Sequence, residues 1–221
     1  LSIETVEEVV SGLSKACREN SCVLIGGETA EMPDFYQKNE YDMSGTIIGV
    51  VDKEFMMPLR KTNKGDVLVA LPSTGLHTNG YSLARKVLLE RYTVDRYFDT
   101  LGMTLGQSLL SIHKSYLPVM DAILEKDWLH GISHITGGGL VENTHRVIED
   151  NQDIKVDWDS WEWPEIFKMI QKYGDVPIED MRRSFNLGMG LVAIIDPNSI
   201  DKLSGHLKSI NEDFIVIGEV I

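Results

Sequence analysis

Three short stretches of this sequence combine glycine with groups able to hold phosphate or metal oxygens. The first, Gly26-Gly27-Glu28-Thr29-Ala30-Glu31-Met32-Pro33, sets a carboxylate directly after an apolar run. Its two glycines let backbone approach a ligand closely, and Glu28 is a natural oxygen donor to Mg2+, which is commonly bound by one or two carboxylates plus substrate phosphates. Glu28 and Glu31 read equally as solvated or helix-capping acids. The second stretch, residues 73 to 80, offers the hydroxyls of Ser73, Thr74 and Thr78, the imidazole of His77, the amide of Asn79, and adaptable backbone at Gly75 and Gly80. A helical pattern follows it, whose free first amides favour an anion. A turn with an N-cap and no ligand is the alternative. It is not a Walker loop, which would need Lys and then Ser or Thr where Tyr81 follows Gly80, and it is not the dinucleotide fingerprint. The third stretch is His134-Ile135-Thr136-Gly137-Gly138-Gly139. Three consecutive glycines lose much conformational entropy on ordering, which a fold tolerates where backbone must touch something or where φ must be positive. His134 reads either as a proton donor or acceptor near neutral pH or as a satisfied structural histidine. His77, His113, His130, His145 and His206 show no paired zinc spacing, and no GxSxG elbow is present.

The elements that must position these residues follow from apolar periodicity. Ile3, Val6, Val9, Val10, Leu13, Ala16 and Cys17 recur at helical spacing and predict an amphipathic helix over residues 2 to 19. Cys22 to Ile25 and Thr46 to Val51 read as strands. Lys53 to Lys64 reads as a linker. The pattern restarts with the strand GDVLVAL from Gly65, the hydroxyl-rich loop and a helix over 81 to 91. A long helix over 106 to 126 follows, with a kink or break predicted at Pro118. Ile132 to Thr136 then runs as a strand into the triple glycine and a helix over 140 to 148. Strand, glycine loop and helix thus occur twice, which suggests one shared ligand. The tryptophans between Asp157 and Trp163 read as a rim of core aromatics rather than a base-stacking platform. A helix from Glu165 to Tyr173, a glycine-interrupted strand over 185 to 196, a helix over 198 to 210 and a closing strand FIVIGEVI complete the chain. The fold class is α/β (α+β), a mixed-sheet architecture of two unequal domains, residues 1–56 and 57–221.

Composition bounds the function. The 221 residues, 43% hydrophobic and 25% charged, suit a soluble globular protein. The formal net charge of −13 repels nucleic-acid phosphates and anionic lipid, so neither partner is expected without a basic patch, and Arg85-Lys86 and Arg182-Arg183 read as helix-face pairs. Two cysteines, Cys17 and Cys22, at neither CxxC nor zinc spacing, predict reduced thiols and a cytoplasmic protein. No apolar run approaches the ~20 residues of a membrane span. Leu1 opens inside a helical pattern, from which we expect the natural chain to begin earlier.

Taken in order, GGETAEMP, YDMSGTIIGVVD, PSTGLHTNGYSLARKVL, HITGGGLVEN, SWEWPEIF and FNLGMGLVAII resemble the aminoimidazole ribonucleotide synthetase (phosphoribosylformylglycinamidine cyclo-ligase) family along essentially the whole chain. The resemblance implies ATP-dependent closure of formylglycinamidine ribonucleotide to aminoimidazole ribonucleotide in purine biosynthesis. ATP phosphorylates the amide oxygen to an iminophosphate, an amidine nitrogen attacks the activated carbon, and phosphate leaves. It implies ATP and Mg2+, with K+ as a further ion to test, and a homodimer for the full-length protein. Carried over by motif, His134 is the implied catalytic residue. Ser73, Thr74, Gly75, His77, Thr78, Asn79, Gly80 and Thr136 to Gly139 (Gly137, Gly138 and Gly139) are implied to meet substrate or phosphate. Gly26, Gly27, Glu28 and Thr29 are implied to meet ATP, with Glu28 on the metal; the related thiamine monophosphate kinases typically carry Asp at that point. One departure is large: the family's opening domain, with a glycine-rich start, a lysine and a DGVGTK-like motif, has no counterpart here. Residues 1–56 then correspond to the C-terminal part of an N-terminal ATP-binding and dimerisation domain. Two alternatives stay open: an inactive fragment that binds substrate phosphate only, and a sister enzyme such as formylglycinamidine ribonucleotide synthetase.

Overall fold

The computed structural model of the chain describes residues 1–32, 34–38, 40–53, 56 and 61–221. Pro33 of the first glycine motif and Met57 at the expected domain boundary lie outside the described residues. The chain divides into two compact units, Leu1–Val51 and Asp52–Ile221.

In the first unit the predicted helix is present as α1, Ile3–Glu19. Ser2 caps it, its hydroxyl accepting from the Thr5 amide at 3.2 Å, with Glu4 in the first turn and Arg18 in the last, each complementing the helix dipole. The two expected strands are corrected. Cys22–Ile25 and Thr46–Val51 form no strand, and Ile25, Ile47 and Val50 are 86%, 89% and 97% exposed. A β-branched run becomes a strand only where a neighbour supplies ladder hydrogen bonds and a surface to cover it, and no described residue pairs with either run.

The second unit is built on a five-stranded sheet in the order β4-β6-β1-β7-β5, comprising β1 Val67–Pro72, β4 Leu129–His134, β5 Ile154–Val156, β6 Met189–Ile195 and β7 Ile215–Val220. A small ribbon of β2 Tyr97–Phe98 and β3 Met103–Thr104 stands apart from it. All four pairings of the main sheet are antiparallel, so the α+β reading holds and the sheet is not of mixed sense. Every residue of β6 is buried, in keeping with its unbroken apolar run. Alternation sorts the side chains. Val69, Leu71, Leu191, Ala193 and Ile195 face α4 (Leu117–Met120) and α8 (Ile200–Ser209) through Val119, Met120, Leu203 and Leu207. Leu68, Ala70, Val192 and Ile194 face the opposite way, towards Leu140 on α5 (Gly139–His145) and towards Trp161. Trp161 donates its indole N–H to the Leu187 carbonyl at 3.0 Å, so the tryptophan segment is core rim, as its composition suggested. A third cluster joins α2 (Tyr81–Leu89), α3 (Leu105–Leu109), α6 (Glu165–Gly174) and α7 (Ile178–Ser184) around Phe167 and Phe185.

The long helix expected over 106 to 126 is broken. α3 starts at a capping box between Thr104 and Gln107 and ends at Leu109, and α4 begins only at Leu117 with Pro118 in its first turn. Proline has no N–H for a preceding turn and clashes with it, so a helix entering from 110–116 could not continue through position 118. Residues 111–116 are instead a connection in no helix or strand, which carries His113 and Tyr116 elsewhere.

Because β1 and β4 are both antiparallel to β6, they run in the same direction, and the loops that follow them leave the same edge of the sheet. The glycine at the start of α5 is required there. Gly139 has φ +72°, and a Cβ on it would stand 1.7 Å from the Arg182 carbonyl oxygen. Gly139→Ala is therefore expected to destabilise the chain by at least about 2 kcal/mol, from combined overpacking and left-handed backbone strain. Urea unfolding checks this, and Gly137→Ala serves as the mild control, since its Cβ would meet only Asn79 Oδ1 at an ordinary 3.5 Å.

Candidate active site

The loop after β1 is shaped by buried polar groups. The Ser73 hydroxyl donates to Asn186 Oδ1 at 2.9 Å, Asn186 Nδ2 donates to the Gly75 carbonyl at 2.8 Å, and the Gly188 amide donates to Asn186 Oδ1 at 2.8 Å. Asn186, just before β6, is buried, so its amide replaces the water these groups would otherwise need. His77 and Thr78 both lie in the left-handed region, at φ 50° and 64°, a conformation costly for non-glycine residues and held here by the surrounding bonds.

His77 ties this loop to two others. Its ring is 3% exposed. Nε2 accepts from the Thr74 amide at 3.0 Å and, more weakly, from the Lys114 amide at 3.4 Å. The Thr74 hydroxyl lies 2.9 Å from the same nitrogen and 2.6 Å from the Ile112 carbonyl. Two amides aimed at Nε2 assign the lone pair there and the ring proton to Nδ1, which is buried without a partner among the described residues. The His77 carbonyl accepts from Asn79 Nδ2 at 2.9 Å, and Asn79 Oδ1 accepts from the Gly137 amide at 3.0 Å. The two glycine loops are thereby bridged by one side chain. Gly190 on β6 permits this packing, since a Cβ there would stand 2.1 Å from the Tyr116 hydroxyl and 2.9 Å from His77 Nδ1.

Burial first, and then repulsion from His113, His134 and Lys114 when they carry charge, lowers the His77 pKa from 6.5 to about 4. The triple-glycine loop is tied from within by Asn143, whose Nδ2 donates to the carbonyls of Thr136, Gly137 and Gly139 at 3.3, 3.2 and 2.7 Å. The Gly138 amide donates to the Arg183 carbonyl at 3.0 Å. His134 ends β4 opposite Leu191 and is solvent-exposed. Partial burial of its ring, and then His113, lower its pKa.

Of the residues singled out from sequence, Ser73 to Gly80 and His134 to Gly139 are gathered at one sheet edge. Gly26, Gly27, Glu28 and Thr29 belong to the first unit, where they are exposed and in no helix or strand. Sequence reasoning passed over His113, Lys114, Tyr116, Asn143 and Asn186. The His113 ring stacks on His77 with centroids 3.9 Å apart and meets His134 edge-on at 5.2 Å. Tyr116 donates to the Pro72 carbonyl at 2.8 Å, and burial, with Glu212 nearby, raises its pKa. Lys114 is ion-paired with Glu212. The polar triplet His113-Lys114-Ser115 inside an expected amphipathic helix was the available signal.

The fold is that of a known class: the chain superposes over its full length on E. coli HypE, a hydrogenase maturation protein, with a TM-score of 0.61 and 16% identity, covering 64% of that chain. Residues 63–221 match the C-terminal domain, and residues 1–51 the N-terminal domain, of AIR synthase related proteins. The chain belongs to the AIR synthase related family. It is 42% identical over 223 residues to the phosphoribosylformylglycinamidine cyclo-ligase of Thermoanaerobacter sp. (strain X514), and 41% identical over 219 residues to that of Pseudothermotoga lettingae. It spans 66% and 64% of those two proteins, just under two thirds of their length.

The depressed His77 pKa sets a pH dependence. Between pH about 6.5 and about 4 the unfolded chain binds a proton at this ring that the folded chain does not, so stability falls as pH drops through that window and is unaffected above it. His77→Gln, which keeps an acceptor but does not titrate, is expected to flatten this part of the profile in urea unfolding at pH 4.5, 5.5 and 7.

Proposed function

We propose that the protein to which this chain belongs closes formylglycinamidine ribonucleotide to aminoimidazole ribonucleotide at the expense of ATP, in the de novo purine pathway. The observation that carries this reading is identity of about 40% across the whole chain to proteins named phosphoribosylformylglycinamidine cyclo-ligase, with both family domains in order. In this reading the amide oxygen is phosphorylated, an amidine nitrogen attacks the activated carbon, and phosphate departs.

The chain's own residues would contribute mainly by holding groups in place, as expected for phosphoryl transfer. The loops Ser73–Gly80 and Thr136–Gly139 would receive substrate or phosphate. The amides of His77 and Thr78 meet no protein acceptor among the described residues and are therefore available to an anion. His134, exposed at the mouth of the second loop, would contact the reacting groups. Residues 1–56 would be the C-terminal part of the ATP-binding and dimerisation domain, with Gly26 to Thr29 on the ATP side, and 57–221 the C-terminal domain. For Mg2+ the chain offers Glu28, and no group of three His, Cys, Asp or Glu suited to a metal occurs among the described residues. One carboxylate fits the mode in which phosphates and water complete the shell, and the ion would there neutralise phosphate charge. A homodimer is proposed for the full-length protein, and a cytoplasmic location. No helix among the described residues is long and apolar enough to cross a membrane.

The test is direct. Full-length protein with formylglycinamidine ribonucleotide, ATP, Mg2+ and K+ is expected to yield aminoimidazole ribonucleotide, followed by diazo coupling. No product, together with turnover of formylglycinamide ribonucleotide and an ammonia donor, would assign the sister synthetase activity instead.

A further inference from the structure

Ring closure requires a proton acceptor. As the amidine nitrogen forms its bond to the activated carbon and the carbon–oxygen bond to phosphate breaks, that nitrogen must lose a proton, and the electron pair of its N–H bond stays on nitrogen. A side chain that takes this proton needs a bare lone pair facing the ligand and a second group that fixes its orientation.

His134 is exposed but has no hydrogen bond that fixes its tautomer among the described residues. His77 has a fixed lone pair, but it points into protein, towards Thr74 and Lys114. His113 differs from both. Its Nδ1 lies 2.9 Å from the Lys114 carbonyl, an atom that can only accept, so Nδ1 carries the proton of the neutral ring. The lone pair is left on Nε2, which meets no protein donor among the described residues. The ring is clamped by stacking on the buried His77, centroids 3.9 Å apart and planes 28° apart, and it stands edge-on to His134 beside the triple-glycine loop. A backbone carbonyl on one nitrogen and an open lone pair on the other is the arrangement that prepares an imidazole to accept a proton.

Resting on the cyclo-ligase reading, we propose that His113 accepts the amidine proton during ring closure through Nε2, with His77 as the positioning residue beneath it. The titratable and charged groups around His113 are His77 below, His134 at its edge, Lys114 next in the chain with its partner Glu212, and Tyr116 beyond His77. A neutral His77 is part of the device, because a protonated ring stacked beneath would oppose the positive charge that His113 acquires.

Full-length wild type, His113→Ala and His113→Gln would be compared in aminoimidazole ribonucleotide formation. We expect kcat to fall about 10²- to 10⁴-fold in both variants, with KM for the ribonucleotide within threefold of wild type, and added imidazole to restore His113→Ala at least tenfold. Gln preserves the shape and polarity of the ring but cannot take up the proton, so near-wild-type kcat in His113→Gln would overturn the inference in favour of packing. So would His113→Ala within threefold of wild-type kcat, or a loss that appears in KM and resists imidazole. Absence of product from the wild type would instead overturn the cyclo-ligase reading itself, so the two failures are told apart in one experiment.

Discussion

Burial of β6 on both faces is the constraint from which the rest of the second unit follows. A seven-residue strand with every side chain inside must be paired along both edges and covered above and below, or its backbone polar groups and apolar surface would meet water. Strands β1 and β4 supply the edges. The helices α4 and α8 cover one face, and α5 with Trp161 covers the other. Both neighbours are antiparallel to β6 and so parallel to each other, and the chain leaves them in the same place. The common position of the two glycine loops is thus a consequence of sheet topology rather than of any contact between the loops.

Contacts between the loops then convert a shared edge into a defined site. Asn79 holds the Gly137 amide, Asn143 gathers three carbonyls of the glycine run, and Asn186 ties the first loop to the lead into β6. Each is a side-chain amide satisfying backbone groups of the loops or of their junctions with helix and strand. His77 extends the network to a third segment, since Lys114 and Ile112 belong to the connection between α3 and α4. The price of this arrangement is two successive non-glycine residues in left-handed conformation and a buried ring nitrogen without a partner. Local disfavour of that kind is tolerated where surrounding bonds over-determine the geometry, and it clusters where ligands are handled.

The histidines illustrate how environment divides one residue type among roles. His77 is buried, neutral and turned towards protein. His113 shares its stacking face but keeps one nitrogen open, and His134 stands solvent-exposed at the end of a strand with its ring against the edge of His113. Outside this cluster, His130 pairs with the buried Asp66 at 2.7 Å at the opposite end of β1 and β4, where it binds those strand starts together. Motif context singled out His77 and His134, but nothing in sequence spacing separated His113 from His130, because no pair of these histidines sits at a recognisable metal or catalytic interval.

Much of the architecture was legible from periodicity: α1, α2, α6 and α8, the strands β1, β4, β6 and β7, and the two glycine loops with their following helices all stand close to where apolar spacing placed them. The helices carry local signals such as a capping serine on α1, and the strands carry apolar runs that here find neighbours on both sides or at one edge. The sequence by itself also determined the family, through six ordered motifs. Tertiary structure decided what depends on partners distant in the chain. Cys22–Ile25 and Thr46–Val51 have the composition of strands, but a strand exists only with a neighbour, and composition says nothing about whether one is present. The segment from Ser111 to Tyr116 has helical neighbours on both sides, but Pro118 ends the pattern and His77, 36 residues upstream of His113, determines where it goes. The antiparallel sense of the sheet, the buried Asn186 and the stacking of His113 on His77 share that cause: each is a relation between separated residues, and only packing brings them together.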